Sequence, residues 1–288
     1  MRFGFIRDHR HEFRIRKMCQ VLEVSVSGFY AWLRRPESWR SQVNRRLLTE
    51  IRMVHQRCRQ TYGSPRMTSE LTDLGYTCGQ NRVARVMRTG GIRAVGKRKY
   101  RVTTQSRHTY PVAENLLDRN FTADRPNAVW LSDITYIWTS EGWLYLAAVM
   151  DLYSRMVVGW SMGPRINAEL ALSALRQAVA HRGVHPDLVH HSDRGSQYAA
   201  GEYQKLLTET RMIGSMSRKG DCWDNAPMES FFATLKTELV YRMTFTTRKA
   251  AKQRIFEFVE IFYNRQRRHS SLDDQSPLDF EKTAPLAS

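Results

Sequence analysis

Three acidic side chains stand where a carboxylate needs a reason. Asp133 lies in a run otherwise made of Trp130, Leu131, Ile134, Tyr136 and Ile137, where an unpaired buried charge is costly. Asp193 closes the short apolar run that begins at Leu188, at a strand end of the kind where open α/β sheets put their ligands. Glu229 opens a helical stretch beside an apolar line of Phe231, Phe232, Leu235 and Leu239. Taken singly, each reads as a cap, a turn residue or a surface charge. Gathered at one sheet edge, they would repel one another unless cations lay between them, and oxygen-only ligands are what Mg²⁺ or Mn²⁺ prefer. Two such ions about 3.5–4 Å apart activate a water or a 3′-hydroxyl and stabilise the leaving oxygen of a phosphodiester. Lys236, seven residues after Glu229 and two turns along the same helix line, is placed to reach a phosphate or else is a solvated surface lysine. His190 and His191 precede Asp193, and His181 and His185 straddle a helix end. None has metal-site spacing, so satisfied or supporting histidines are the expectation.

The elements that must hold these groups are legible in the pattern. Residues 128–138, 142–151 and 155–162 are rich in β-branched and aromatic side chains and separated by turn signals, which predicts three antiparallel strands. Asn167 to His181 is an amphipathic helix with Asn167 as N-cap and Gly183 past its end. Strands then fall at 188–191 and 213–217, with helices at 202–209 and 227–240. Three strands followed by alternating helix and strand make an α/β mixed sheet. Thr247 caps a final long helix to Tyr263, and residues 281–288 are expected to fray.

Charge divides the 288-residue chain. Residues 1–118 hold 24 Lys/Arg against 9 Asp/Glu, net +15, whereas 119–288 hold 21 against 19, net +2. A basic front and a near-neutral rear suit a protein that grips phosphates with one part and works with another. Four regions follow: a helical, helix-turn-helix-like segment at 1–40, a helix-turn-helix DNA-binding region at 41–95, a basic linker at 96–120, and the catalytic part with a C-terminal helical extension at 121–285. In the first, Ile15, Met18, Cys19 and Leu22 mark a helix, Ser25 to Gly28 a break, and Phe29, Trp32 and Leu33 the next helix. In the second, the helix from Gln80 to Arg88 sets Arg82, Arg85 and Arg88 on one side and Val83, Val86 and Met87 on the other. Lys97, Arg98 and Lys99 in the linker and Arg265, Arg267 and Arg268 near the C-terminus are further phosphate-contact candidates.

The longest uncharged apolar run, Trp143 to Met150, is far short of the roughly 18–20 residues a membrane helix needs. The first 20 residues are too charged for a secretory signal, so a cytoplasmic, nucleoid-associated protein is expected. Cys19, Cys58, Cys78 and Cys222 are scattered and read as reduced.

Four phrases occur in order: Trp130-Leu-Ser-Asp133-Ile-Thr-Tyr-Ile, His191-Ser-Asp193-Arg-Gly-Ser-Gln-Tyr198, Asp224-Asn-Ala-Pro-Met-Glu229-Ser and Tyr263-Asn-Arg-Gln-Arg-Arg-His269. Together they resemble the motif set of DDE transposases, in particular the OrfB product of IS-three-type insertion sequences, relatives of retroviral integrases. The 35 residues between Asp193 and Glu229 match that superfamily's spacing. The resemblance implies an RNase H-like core, with Asp133, Asp193 and Glu229 as metal-binding acids and Lys236 as the basic residue seven positions after the glutamate. It also implies 3′-end cleavage and strand transfer on double-stranded DNA, with two Mg²⁺ or Mn²⁺ ions and no nucleotide cofactor. The partners it implies are a homo-oligomer on DNA and an OrfA subunit or fusion. The alternatives are an accessory DNA-binding subunit without chemistry and a nuclease of the same fold acting on RNA–DNA hybrids. Asp151, in Asp151-Leu-Tyr-Ser-Arg155, reads as a structural turn acid.

For the helix at 80–88, Arg82→Ala and Arg85→Ala are expected to weaken duplex binding in a fluorescence-anisotropy titration. Unchanged affinity at moderate salt would mark a solvated face instead.

Overall fold

The structure, a computed structural model, describes residues 2–95, 113–183, 185–218 and 222–283. Its basic front is helical. α1 (Arg2–Asp8), α2 (Ile15–Val21) and α3 (Val26–Arg34) close on a small core of Ile6, Met18, Cys19 and Phe29. α1 buries only Ile6, too little for a periodic signal in the sequence. The expected break at Ser25–Gly28 is the start of α3. Ser25 Oγ accepts the Gly28 N–H at 2.9 Å, so the phrase is a cap and a first turn.

A second unit, α4 (Trp39–Arg57), α5 (Ser64–Asp73) and α6 (Gln80–Thr89), buries Leu47, Ile51, Met67, Leu71, Val83 and Met87 together. On α6 the buried Val83, Val86 and Met87 turn Arg85 and Arg88 to solvent. Arg82 is half-buried, and its Nε donates to Asn44 Oδ1 at 3.0 Å. Lys97, Arg98 and Lys99 lie outside the described residues. Among the described residues no helix is long and apolar enough to cross a membrane.

The rear half is built on one sheet. β1 (Val129–Thr139), β2 (Gly142–Asp151) and β3 (Val157–Gly163) run antiparallel. After α7 (Ala168–Arg182), β4 (Val189–Ser192) pairs parallel with β1. After α8 (Gly201–Glu209), β5 (Ile213–Met216) pairs parallel with β4, giving the order β3-β2-β1-β4-β5. This is the expected mixed sheet, in the RNase H-like arrangement. Asn167 Oδ1 caps α7 by accepting the Leu170 N–H at 3.0 Å, and Gly183 ends it at φ +85°.

Each face of the sheet has its own core. Trp130, Val149, Val158, Leu172, Leu175 and Tyr203 fill the side under α7 and α8. Leu131, Leu146 and Met150 meet Phe231 and Leu235 of α9 (Ala226–Glu238) and Ile255 of α10 (Arg248–Phe256) on the other. Thr247 caps α10 as expected, accepting the Ala250 N–H at 3.1 Å, but the α-helix stops at Phe256. Glu257–Tyr263 continues as a π-helix, whose wider turn gathers Phe258, Val259, Phe262 and Tyr263 against the sheet. Asn264 then covers the open edge of β3: its Oδ1 accepts the Val157 N–H at 3.0 Å and its Nδ2 donates to the Val157 carbonyl at 2.9 Å. The last helix, α11 (Pro277–Lys282), is held by Arg182, whose Nη2 donates to both Glu281 oxygens at 2.7 and 2.8 Å. Fraying expected from residue 281 therefore does not extend to 281–282.

Arg267 and Arg268 were expected on DNA phosphates and instead turn inward. Arg267 sends Nε and Nη2 to the two oxygens of Glu238, at 2.9 and 2.8 Å, with both side chains over nine-tenths buried. Arg268 binds Glu70 through Nε at 2.6 Å, pairs with Asp73, and donates its backbone N–H to Tyr62 Oη at 2.7 Å. The acids lie far away in sequence, so a basic run read alone looks like a surface patch. Arg265 remains exposed.

One glycine fixes the approach of α7 to the sheet. A Cβ on Gly159 would stand 2.3 Å from the Ala174 carbonyl oxygen and 2.6 Å from the Ala178 nitrogen, both backbone atoms that cannot swing away. Gly159→Ala is expected to destabilise the protein by about 2 kcal/mol, measured as a lowered urea midpoint. An unchanged midpoint would show that α7 shifts freely.

Candidate active site

Strand register brings the first two acids together. In the parallel β1–β4 pair Ser132 stands opposite Ser192, so Asp133 and Asp193 are the next residues along two adjacent strands. β4 ends there while β1 continues, which frees the Asp193 carboxylate to accept the Gly195 N–H at 2.8 Å in a turn. Asp133 Oδ1 accepts the N–H of Ile134 at 2.7 Å.

The third acid is set by the start of α9. Asn225, the residue before the helix, is buried, and its Nδ2 donates to the Ser132 carbonyl at 3.1 Å, tying the helix start to β1 one residue before Asp133. Asp224 anchors the same corner from below. It has no exposed surface and accepts from the Arg218 N–H at 2.8 Å, Asn115 Nδ2 at 2.9 Å, Arg218 Nη2 at 3.1 Å and Arg119 Nε at 3.3 Å. Burial alone would raise its carboxyl, but the Arg218 and Arg119 bonds outweigh it and hold the pKa at about 2. Asp224 appeared in the sequence only as part of a phrase. Its role shows once 115, 119 and 218 meet it. Pro227 then starts α9, with Glu229 in its first turn.

The field at Asp133 reports the company it keeps. Burial raises its pKa first, the Asp193 charge next and Glu229 after that, against the Ile134 hydrogen bond and Lys236. Glu229 is raised by burial. Lys236 is not a solvated lysine: it is 4% exposed, and its Nζ lies 4.6 Å from the Tyr136 ring centroid. Burial lowers its pKa and the Asp133 charge raises it. Tyr198, fully buried, has its hydroxyl raised by burial and then by Asp193 and Asp133.

Below the acids the histidines are satisfied, as expected. His190 Nε2 lies 2.8 Å from Ser132 Oγ and 3.0 Å from Tyr203 Oη. His191 meets Ser215 Oγ at 2.9 Å and Ser217 Oγ at 3.1 Å. Asp151 is a turn acid, accepting the N–H groups of Asn127 and Tyr153 at 2.7 and 2.8 Å.

Comparison with known proteins decides what this corner belongs to. Models described as "Integrase core domain" match residues 123–222 and 211–277, and one described as "HTH-like domain" matches 42–100. Transposase InsF for insertion sequence IS3A of Escherichia coli (strain K12) is 44% identical over 98% of this chain and 98% of its own length. The chain belongs to the transposase family of IS3-type insertion sequences. A second relative, the insertion element IS600 uncharacterized 31 kDa protein of Shigella sonnei, is 47% identical over 92% of this chain and 97% of that protein. One chain of a simian T-cell lymphotropic virus intasome is 16% identical, with a TM-score of 0.49 over 82% of this chain and 76% of that one.

The protein is a DDE-type transposase, an enzyme of the polynucleotidyl transferase class. Its family implies dependence on a divalent cation. The donors at the corner are three carboxylates, with the charges of Asp193 and Glu229 both acting on Asp133, and this fits a hard cation with oxygen ligands. Among the described residues no three acids, histidines or cysteines are drawn together closely enough to hold a metal ion.

Burial holds His190 at about 3 and His191 at about 4, below the ordinary histidine value. The unfolded chain takes up these protons near pH 6.5 and the folded chain does not. Stability is therefore fully present above pH 6.5 and lost as the pH falls toward 4, by roughly 1.4 kcal/mol per pH unit for each histidine. Urea midpoints at pH 7.0, 5.5 and 4.5 test this, and a flat profile would contradict the buried neutral histidines.

Proposed function

We propose that Asp133, Asp193 and Glu229 are the acids through which this transposase cuts and joins DNA, and that two Mg²⁺ or Mn²⁺ ions are held between them. The observation that carries this reading is the neighbouring position of Asp133 and Asp193 on the parallel pair, with Glu229 acting electrostatically on the first. When bound, such ions supply activation of the attacking oxygen and stabilisation of the leaving one. The chain's own part is to hold three carboxylates at one end of a rigid sheet. Asn225 and the Asp224 clamp fix Glu229, the Gly195 N–H orients Asp193, and the Lys236 ammonium offsets the negative charge gathered there.

The reaction has two steps. Water attacks a phosphodiester at the element's end and leaves a 3′-hydroxyl. That hydroxyl then attacks a target phosphodiester, and the displaced 3′-oxygen leaves with a proton, with no covalent bond to protein. The substrate is double-stranded DNA, held by the basic front through exposed cations such as Arg85 and Arg88, with Arg265 at the rear. Bringing two ends together calls for an oligomer on DNA, and an upstream OrfA partner or fusion would add end recognition. Such an enzyme works at the nucleoid.

The test is cleavage of a labelled duplex carrying the element's own end, with Mg²⁺ or Mn²⁺. Glu229→Gln is expected to lower nicking by at least about a hundredfold while duplex binding persists. Nicking retained in the variant would remove Glu229 from the site. Duplex binding without nicking by either chain would favour an accessory subunit that needs OrfA.

A further inference from the structure

The flank of α9 turned away from Glu229 borders a cavity of about 420 Å³ between the helical front and the sheet domain. Residues 229 and 236 share one line of the helix, whereas Ser230, Thr234 and Thr237 project roughly a quarter-turn or more round it, into the cavity. Across from these hydroxyls stand Arg66 of α5, Arg155 of the β2–β3 turn, Arg267 and His269.

The polar groups are not used up. Arg155 donates Nη2 to the Phe121 carbonyl at 3.0 Å, but its Nη1 is buried and has no hydrogen-bond partner among the described residues. His269, nine-tenths buried, is likewise left with Nε2 unpartnered. Its ring stands edge-on to Tyr263, centroids 4.8 Å apart, which fixes its direction. Arg66 lies over the Tyr62 ring at 5.7 Å and forms no salt bridge among the described residues. Among the described residues the one acid lining the cavity, Glu238, is taken bidentately by Arg267. That leaves Arg66 and Arg155 as two half-buried guanidinium groups that form no salt bridge among the described residues, with Glu238 and Asp274 acting on the first and Asp151 on the second only through their fields. Burial lowers the pKa of each. The charges of Arg267, Arg66 and Arg155 all act on His269, so these cations face one point. Buried donors without acceptors and half-buried cations without a directly paired anion are costly, and one tetrahedral oxyanion answers both deficits.

We infer that this cavity is a phosphate-binding site, separate from the carboxylate corner, with Arg66 and Arg155 as its cations, His269 Nε2 as a further contact, and the Ser230 and Thr234 hydroxyls as donors. Guanidinium forks match phosphate oxygens, and hydroxyls complete the shell. The phosphate is either a free one or part of a DNA strand lying between the helical front and α9.

Isothermal titration of the full chain with inorganic phosphate, in metal-free buffer with chelator, tests the site. Saturable binding is expected, weakened about tenfold or more in Arg66→Gln and in Thr234→Val, and retained in Glu229→Gln. Circular dichroism and thermal melts check that each variant is folded. Duplex titrations over a salt series separate the two sources. If the site takes a strand phosphate, Arg66→Gln weakens duplex binding and reduces the salt slope by about one. If it takes free phosphate, duplex binding is unchanged while phosphate binding falls, and the site stands. Absence of saturable phosphate binding, or equal binding in folded Arg66→Gln and Thr234→Val, would overturn it.

Discussion

The hydrogen-bonded register between β1 and β4 is the constraint on which the rest depends. Ser132 opposite Ser192 makes Asp133 and Asp193 neighbours, although sixty positions of chain separate them. A slip of one residue would turn every side chain of β4 to the other face of the sheet. Register is therefore defended on both faces: Trp130 is locked into the core under α7 and Leu131 into the core under α9. It is defended within the pair too, because Ser132 Oγ meets His190 across the same two strands. A parallel pair also needs a covered crossover, which α7 supplies by packing against the backbone at Gly159.

Bringing a helix to that edge is a separate problem, solved by polar anchors. A carboxylate in the first turn of α9 favours the helix dipole, but nothing apolar in that turn dictates which strand it faces. Asn225 on the Ser132 carbonyl and Asp224 under Arg218, Arg119 and Asn115 provide the direction. Such multiply bonded carboxylates are costly to desolvate and costly to leave unpaired, so the corner holds either complete or not at all. Lys236 belongs to the same economy of charge, buried over Tyr136 and felt by Asp133.

The basic residues divide between two tasks. Arg85, Arg88 and Arg265 stay exposed, whereas Arg267 and Arg268 become internal struts: Arg267 ties the C-terminal segment to α9 through Glu238, and Arg268 holds the second helical unit to that segment through Glu70 and Tyr62. Formal net charge of +17 therefore overstates the cations available to a polyanion at the surface. The same inward turn leaves Arg66 and Arg155 facing a cavity with donors in hand.

By itself the amino-acid sequence marked most of the elements and singled out the acids. Alternation of apolar residues has only one sensible period in 128–162, Asn167 and Thr247 are caps by their chemistry, and a carboxylate inside an apolar strand is conspicuous wherever the strand goes. These are local facts, decided within a few residues by backbone geometry and side-chain polarity. What depended on distant partners was decided only by tertiary structure. No local signal says that Arg267 and Arg268 will meet acids about thirty and two hundred residues earlier. None says that Asp224 will collect donors from three residues, that Lys236 will be buried over Tyr136, or that the helix after Phe256 will widen to a π turn against the sheet. A charge reads as exposed until its counter-charge is placed beside it, and only the folded chain places it there.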